Sequence, residues 1–325
     1  MNSILSKAKL GSQLGARPPA AVELSPQGVL AAASPGPGQP HHGGQAPVYA
    51  FEPLPPGFLV PGIGEPNLRA PEAIAAAIRS ALGQVSPRTR AVTVVLPDTV
   101  VRVFVLDFDS LPGRAAEAYP VLRFRLRKMI PFDVEHAGLS YQILAADKTE
   151  CKVLAAVIPG PILAEYEAAV RAAGYEPGAV LPSSLAALEA IDSLEAVLGA
   201  NLSGLALTTF ITNGQDLLLY RTLDLPEDPD LRLQEVQRGI AVAAAYYEDK
   251  LGARPSRLQF SGNYGAGEFA RWIDDPSLAV VDLAQRPETR AVTTLHPTDK
   301  DLSVGTPALG STSIAGVAGA LAGSR

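Results

Sequence analysis

An Asn213-Gly214 pair stands between two runs rich in apolar and β-branched residues, Leu205–Thr212 and Leu217–Leu225. An Asn-Gly step tolerates the positive φ angles that a two-residue turn needs, so this stretch predicts a β-hairpin. A shorter strand precedes it and ends in Asn201-Leu202-Ser203. A weaker copy lies near the N-terminus: Ala21-Val22-Glu23-Leu24-Ser25, a turn at Pro26-Gln27-Gly28, then Val29–Ala33. Two strand-turn-strand units, each with Leu-Ser at its first turn, point to a chain of two lobes built around them. With helical patterns between the strands, the architecture reads as duplicated α/β.

Composition narrows the function classes. The chain has 325 residues, 47% of them hydrophobic, enough for two cores. Only 18% are charged and the net charge is -6, which argues against a nucleic-acid binder with its basic face. A single cysteine, Cys151, excludes a disulfide framework and cysteine zinc sites, and reads as a small buried hydrophobe. Met1–Ala21 lacks the apolar run of a signal peptide, and no window reaches the ~20 apolar residues of a membrane span. The expectation is a soluble, cytoplasmic protein. Ser183, Ser184, Ser261 and the four histidines (His41, His42, His136, His296) show neither nucleophile-elbow nor metal-ligand spacing, so no catalytic residue or metal is assigned.

Along the chain, Met1–Pro19 reads as a flexible tail, Ser34–Pro47 as a Pro/Gly/His-rich loop, and Pro53–Pro66 as irregular. Pro71 opens a helix with Ile74, Ile78 and Leu82 on one face. Val92–Leu96 and Val100–Leu106 are apolar runs bridged by Pro97-Asp98. The next helix, started or kinked by Pro120 and ended by Pro131, carries Leu122, Leu126 and Met129 on one side and Arg123 and Arg127 on another. Its run Arg123-Phe124-Arg125-Leu126-Arg127-Lys128 reads either as a solvated face or as one meeting an anionic surface, a membrane leaflet or an acidic partner. Leu139–Leu144 and Lys152–Val157 read as paired strands, and Ile162–Ala173 as a helix closed by Gly174. Pro182 starts a helix expected to run through Leu198, with Leu185, Leu188, Ile191 and Leu194 apolar. A long helix follows over Leu231–Leu251, then a strand at Arg257–Phe260 leading into Ser261-Gly262-Asn263. Glu268–Ile273 reads as a helix, Ala279–Leu283 as a strand, Asp301–Gly310 as a loop, and Ser311 or Ser313 as the cap of a last helix.

The stretch Leu122–Asp133 with Leu139-Ser140-Tyr141-Gln142 resembles the pattern of PilM, a type IV pilus assembly protein family. The cytoplasmic part of the type II secretion family GspL is similar in fold. Glu165-Tyr166 with Ala173–Pro177, Ser183–Leu188, and the Tyr246-Tyr247 helix before Arg257–Gly262 resemble the same family in the same order. The resemblance implies an actin-like (ribonuclease H-like) fold: two lobes around a nucleotide cleft, with a small inserted subdomain. Residues 20–91, 160–190 and 308–325 would form the first lobe, 92–159 the insertion and 191–307 the second lobe, behind a tail of residues 1–19.

In that family a glycine turn after the first strand of each lobe lets backbone N–H groups approach phosphate, and a carboxylate in each turn serves magnesium. On this resemblance Glu23 and Ser25 fall at the first turn, Asn201 and Ser203 at the second, and Gly262 and Asn263 on the adenosine side. Serine stands for both glycines and an amide for the second acid, so the cleft is expected to be degenerate, without working ATP or magnesium chemistry. Three functional readings stay open. One is a non-catalytic scaffold at the cytoplasmic face of a bacterial inner membrane, binding the N-terminal peptide of a PilN-like membrane partner and relaying to an assembly ATPase. The second is an ATP-binding or ATP-hydrolysing relative of the same fold, and the third a bacterial interaction module with no secretion link. Arg123 and Arg127 are the candidate contact for an acidic partner or phospholipid.

Overall fold

A computed structural model describes residues 17–34, 47–147, 149–262, 264–284 and 313–324. The first repeat forms where the turn residues place it. Strand β1 (Ala20–Ser25) folds back antiparallel on β2 (Gly28–Ala33), with Ala20 opposite Ala33 and Ser25 opposite Gly28, and β3 (Val48–Pro53) joins the far side of β2. Helix α1 (Pro71–Val85) has proline at its first turn, where a missing N–H costs nothing, and buries Ile74, Ile78 and Leu82. β4 (Ala91–Leu96) then runs parallel to β1.

After a 3₁₀ turn at Asp98–Val100 the chain leaves this sheet. β5 (Arg102–Phe108), α2 (Ala115–Leu126), β6 (Gly138–Ala146) and β7 (Cys151–Ile158) make a separate unit, whose antiparallel sheet has the order β5-β7-β6. α3 (Gly160–Ala172) and β8 (Glu176–Pro182) bring the chain back and complete the first sheet as β3-β2-β1-β4-β8. After α4 (Ser183–Leu188) the plan repeats with β9 (Ala196–Ser203), β10 (Ala206–Asn213), β11 (Asp216–Asp224), α5 (Pro229–Leu251), β12 (Arg257–Gly262), α6 (Ala266–Ile273) and β13 (Ala279–Asp282). The second sheet has the order β11-β10-β9-β12-β13. α7 (Ala315–Ala322) closes the described chain. In both sheets three antiparallel strands are followed by two parallel ones, so the duplication expected from the two Leu-Ser units is present in the topology.

Local chemistry accounts for several boundaries. The Asp228 carboxylate accepts from the N–H groups of Asp230 and Leu231 to cap α5, and Gly252 ends that helix in the left-handed region (φ 72). Asn67 ties down the segment expected to be irregular. Its side chain bonds the backbone of Gly62 and Glu65, while Glu165 of α3 accepts from the Asn67 and Leu68 N–H groups at 2.7 and 3.3 Å.

Three readings of the chain need correction. Val92–Leu96, expected inside the insertion, form β4 and pair with β1 and β8; the three-stranded sheet begins at Arg102. The helix expected through Leu198 stops at Leu188, because Val197–Ser203 are the central strand of the second sheet, bonded to β10 and β12. Two-sided pairing overrides the helical spacing, and Leu194 is left 90% exposed. Met129 lies past the end of α2 and is exposed rather than sharing the buried side of Leu122 and Leu126. The expected tail up to Ala16, most of the 34–47 loop, the 301–310 loop, Ser311 and Asn263 lie outside the described residues.

The cores explain how the lobes hold together. One apolar cluster fills the first lobe and extends into Val197, Phe210, Leu217 and Tyr220 of the second. Another lies under α5 and α6, and a third lies between α2 and the three-stranded sheet. Among the described residues no helix is long and apolar enough to cross a membrane.

Candidate functional site between the lobes

β1 and β9 each end at the interface between the lobes, and their Leu-Ser turns meet there. Glu23, Ser25, Asn201, Ser203 and Gly262 line a single cavity, together with Ser183 and Ser313. Five of the residues singled out from the sequence are thereby brought together, and Asn263 lies outside the described residues. The free volume is ≈ 20 Å³, room for about one water molecule.

Ser25, Glu23, Ser183 and Asn201 are hydrogen-bonded within the protein. Ser25 Oγ donates to the Gly28 carbonyl (3.1 Å) and closes its own hairpin. Glu23 Oε1 accepts from Ser183 Oγ at 2.7 Å, and the Val317 N–H at the start of α7 also bonds this carboxyl. The residue is partly exposed, but Oε2 is buried and has no hydrogen-bond partner. Burial raises the Glu23 carboxyl to about 7, with the nearby Asp98 charge adding to the rise against the Ser183 and Val317 bonds. Gly316 lets α7 come this close, since a Cβ there would stand 2.6 Å from Glu23 Oε2. Gly262 adopts φ +143, and a Cβ would meet the Leu202 carbonyl oxygen at 2.4 Å, so glycine is required by the backbone packing itself.

The residue that organises the site is Asp98, buried in the turn after β4. Its Oδ2 accepts from Asn201 Nδ2 on β9 and from Thr208 Oγ1 on β10, both at 2.8 Å, and its Oδ1 from the Ser184 N–H at 3.0 Å. Burial pushes the Asp98 carboxyl above the usual range, while the donors from Ser184, Thr208 and Asn201 favour its charge. Asn201 Oδ1 in turn accepts from Ser261 Oγ (3.1 Å). Beside this knot the hydroxyls of Ser184 and Tyr220 share a short hydrogen bond, and burial next to Asp98 holds the Tyr220 phenol well above its usual range. Farther out, Arg102 Nη2 pairs with Asp224 Oδ2 at 2.8 Å. First lobe and insertion are tied to the second lobe by polar bonds as well as by apolar contact.

Sequence reasoning treated Asp98 as part of a bridge. A signal was present: one carboxylate enclosed by Val95-Leu96 and Val100-Val101 is an acid with little prospect of solvent. Its partners lie 86 to 110 residues away, which no local pattern discloses.

No protein-family model and no curated protein matches the chain. Solved structures do. The PilM–PilN type IV pilus biogenesis complex superposes with a TM-score of 0.62 at 18% identity, over 81% of this chain and 88% of that one. The fold is that of PilM. It is actin-like, two-lobed, with an inserted subdomain. The cytoplasmic domain of EpsL, an inner-membrane component of the Vibrio cholerae type II secretion system, matches at 0.46 and 16% identity, over 83% and 89% of the two chains. A ROK hexokinase from Thermus thermophilus matches at 0.38 and 14%, over 94% and 96%. At these identities the PilM likeness is one of fold, and function has to be argued from the site.

The two arginines of the PilM-like basic run have separate positions. Arg123 is part-buried, and its guanidinium donates to the carbonyls of Val134 and Ala137, holding the loop after α2. Arg127 is exposed and pairs with Glu135 at 2.5 Å. Arg123→Met is expected to cost about 1–2 kcal/mol through the loss of two hydrogen bonds to loop carbonyls, and Arg127→Ala less than about 0.5 kcal/mol, read by urea denaturation.

Proposed function

We propose that this chain is a non-catalytic scaffold of a type IV pilus or type II secretion assembly platform, holding a cytoplasmic segment of a PilN-like membrane partner instead of turning over nucleotide. One observation carries the reading: Asp98 is bonded to Asn201 and Thr208 across the place where an actin-like cleft would open. Phosphoryl transfer depends on positioned phosphate, metal and free acidic groups. Here the space is ≈ 20 Å³ and the second acid position is an amide that donates to Asp98. A body with closed lobes suits steady display of a binding surface. The PilM–PilN likeness supports the choice of partner, whose segment would lie in a groove between first lobe and insertion. Binding that partner would place the chain at the cytoplasmic face of the inner membrane, where it relays to an assembly ATPase.

The test pairs two measurements on the purified full chain. Calorimetry with ATP and magnesium is expected to show no micromolar site, and an immobilised PilN-like cytoplasmic segment is expected to retain the chain. Sustained phosphate release abolished by Glu23→Gln would overturn the reading in favour of an ATPase. Failure of the segment to retain the chain, in a system that otherwise assembles, would remove the proposed partner.

A further inference from the structure

α2 is the outermost layer of the inserted subdomain. Its inner side buries Ala118, Leu122 and Leu126 in the core beneath it, and the opposite face of the three-stranded sheet contributes Val103, Leu154, Ala156 and Ile158 to the first-lobe core. On the outer side, Val121 and Phe124 stand at i and i+3 and share a stripe, flanked by Arg125 and, in the turn that follows the helix, by Arg127 and Lys128. Phe124 is 71% exposed, and Val121 and Met129 are exposed beside it. Arg125 and Lys128 are exposed and make no hydrogen bond or ion pair with a described residue. The acids near the stripe are already paired, Glu117 with Arg114 at 3.9 Å and Glu135 with Arg127.

We infer that this outer face of α2 docks on an anionic phospholipid surface, with Phe124 and Val121 entering the headgroup boundary and Arg125 and Lys128 meeting lipid phosphates. The patch offers two unpaired cations to a negative surface in a chain of net charge -6. Its chemistry is mixed: an interfacial helix uses an aromatic and an aliphatic side chain for the acyl boundary and flanking cations for the headgroups. An acidic, hydrated protein surface would pair the cations but leave Phe124 facing charge. The inference stands apart from the PilN-like partner, because it concerns a different ligand.

Co-sedimentation of the full chain with phosphatidylglycerol-rich vesicles tests it. Binding is expected to those vesicles, to be weak with phosphatidylcholine alone, and to fall away by about 0.5 M salt. Removing each cation should weaken binding about fivefold, and Arg125→Glu with Lys128→Glu by more than their combined removal. Phe124→Ser should weaken it severalfold while leaving the salt dependence. In Phe124→Trp, fluorescence should shift to the blue on adding anionic vesicles, read against the parent chain with its sole Trp272. These substitutions lie on an exposed face, so thermal melts should match the parent. Absence of vesicle binding, equal binding to phosphatidylcholine, or binding unchanged by the double reversal would each overturn the inference. If the double reversal abolishes capture by the PilN-like segment without lipid, and the parent ignores vesicles, the face belongs to a protein contact and the inference fails.

Discussion

Asn201→Asp is expected to destabilise the chain by on the order of 3–5 kcal/mol at pH 7, and the loss should shrink as the solution is acidified. The amide now donates to Asp98 Oδ2 at 2.8 Å, where both side chains are buried. A carboxylate there has no proton to offer unless it keeps one, so two ionised groups would face each other with little water between them. The sign follows from linkage. The folded pair would hold a proton more tightly than the unfolded chain, so its stability is greatest below the unfolded carboxyl value and is lost as pH rises through the folded one. Asn201→Ala removes a donor without adding charge, and its loss should vary little with pH in comparison. Urea denaturation of the three proteins between about pH 5 and 8 would decide. Equal stability of Asn201→Asp and parent at pH 8 would show that Asp98 does not tie the lobes.

Glu23→Gln should have the opposite effect. The native carboxyl titrates near 7 against an ordinary value of 4.5, chiefly because it is buried. That shift corresponds to about 3 kcal/mol that the folded state gives up on ionising the group. The parent is therefore expected to lose stability as pH rises from 4.5 to about 7 and to level off above it. Glutamine can still accept from Ser183 and never ionises, so the variant should gain roughly 2–3 kcal/mol over the parent above pH 7 and match it near pH 4. Melting curves across this range would check it. A parent profile that is flat from pH 5 to 7 would contradict the buried carboxyl described here. If Glu23 instead served a nucleotide, the same substitution would abolish turnover, which makes it informative for both questions.

The elements legible in advance were those written in short-range chemistry. Gly214 (φ 58) opens the two-residue β10–β11 turn, one residue later than the Asn-Gly step suggested because Asn213 ends β10 opposite Asp216; Pro71 lies at the first turn of α1, and Gly252 caps the long helix in the left-handed region. The paired Leu-Ser turns anticipated the repeated sheet order. The helix carried too far, through Leu198, shows where such signals mislead. Apolar spacing at Leu188, Ile191 and Leu194 fits a helix, yet Val197–Ser203 gain more from ladder bonds on both edges. In the cleft, the residues that line it were visible as motif remnants, while Asp98, Thr208 and Tyr220 were not. The α2 arginines were chosen by charge alone, and packing separates Arg123, spent on loop carbonyls, from Arg125 and Lys128, which face outward.

From its sequence alone this chain settles what adjacent residues decide: its hairpins, the proline-opened start of α1 and the glycine stop of α5. Folding in three dimensions decides what distant residues do to one another. A carboxylate in a short turn meets an amide 103 positions later and closes two lobes, because the energy of a buried charge depends on the donors that surround it and not on its neighbours along the chain.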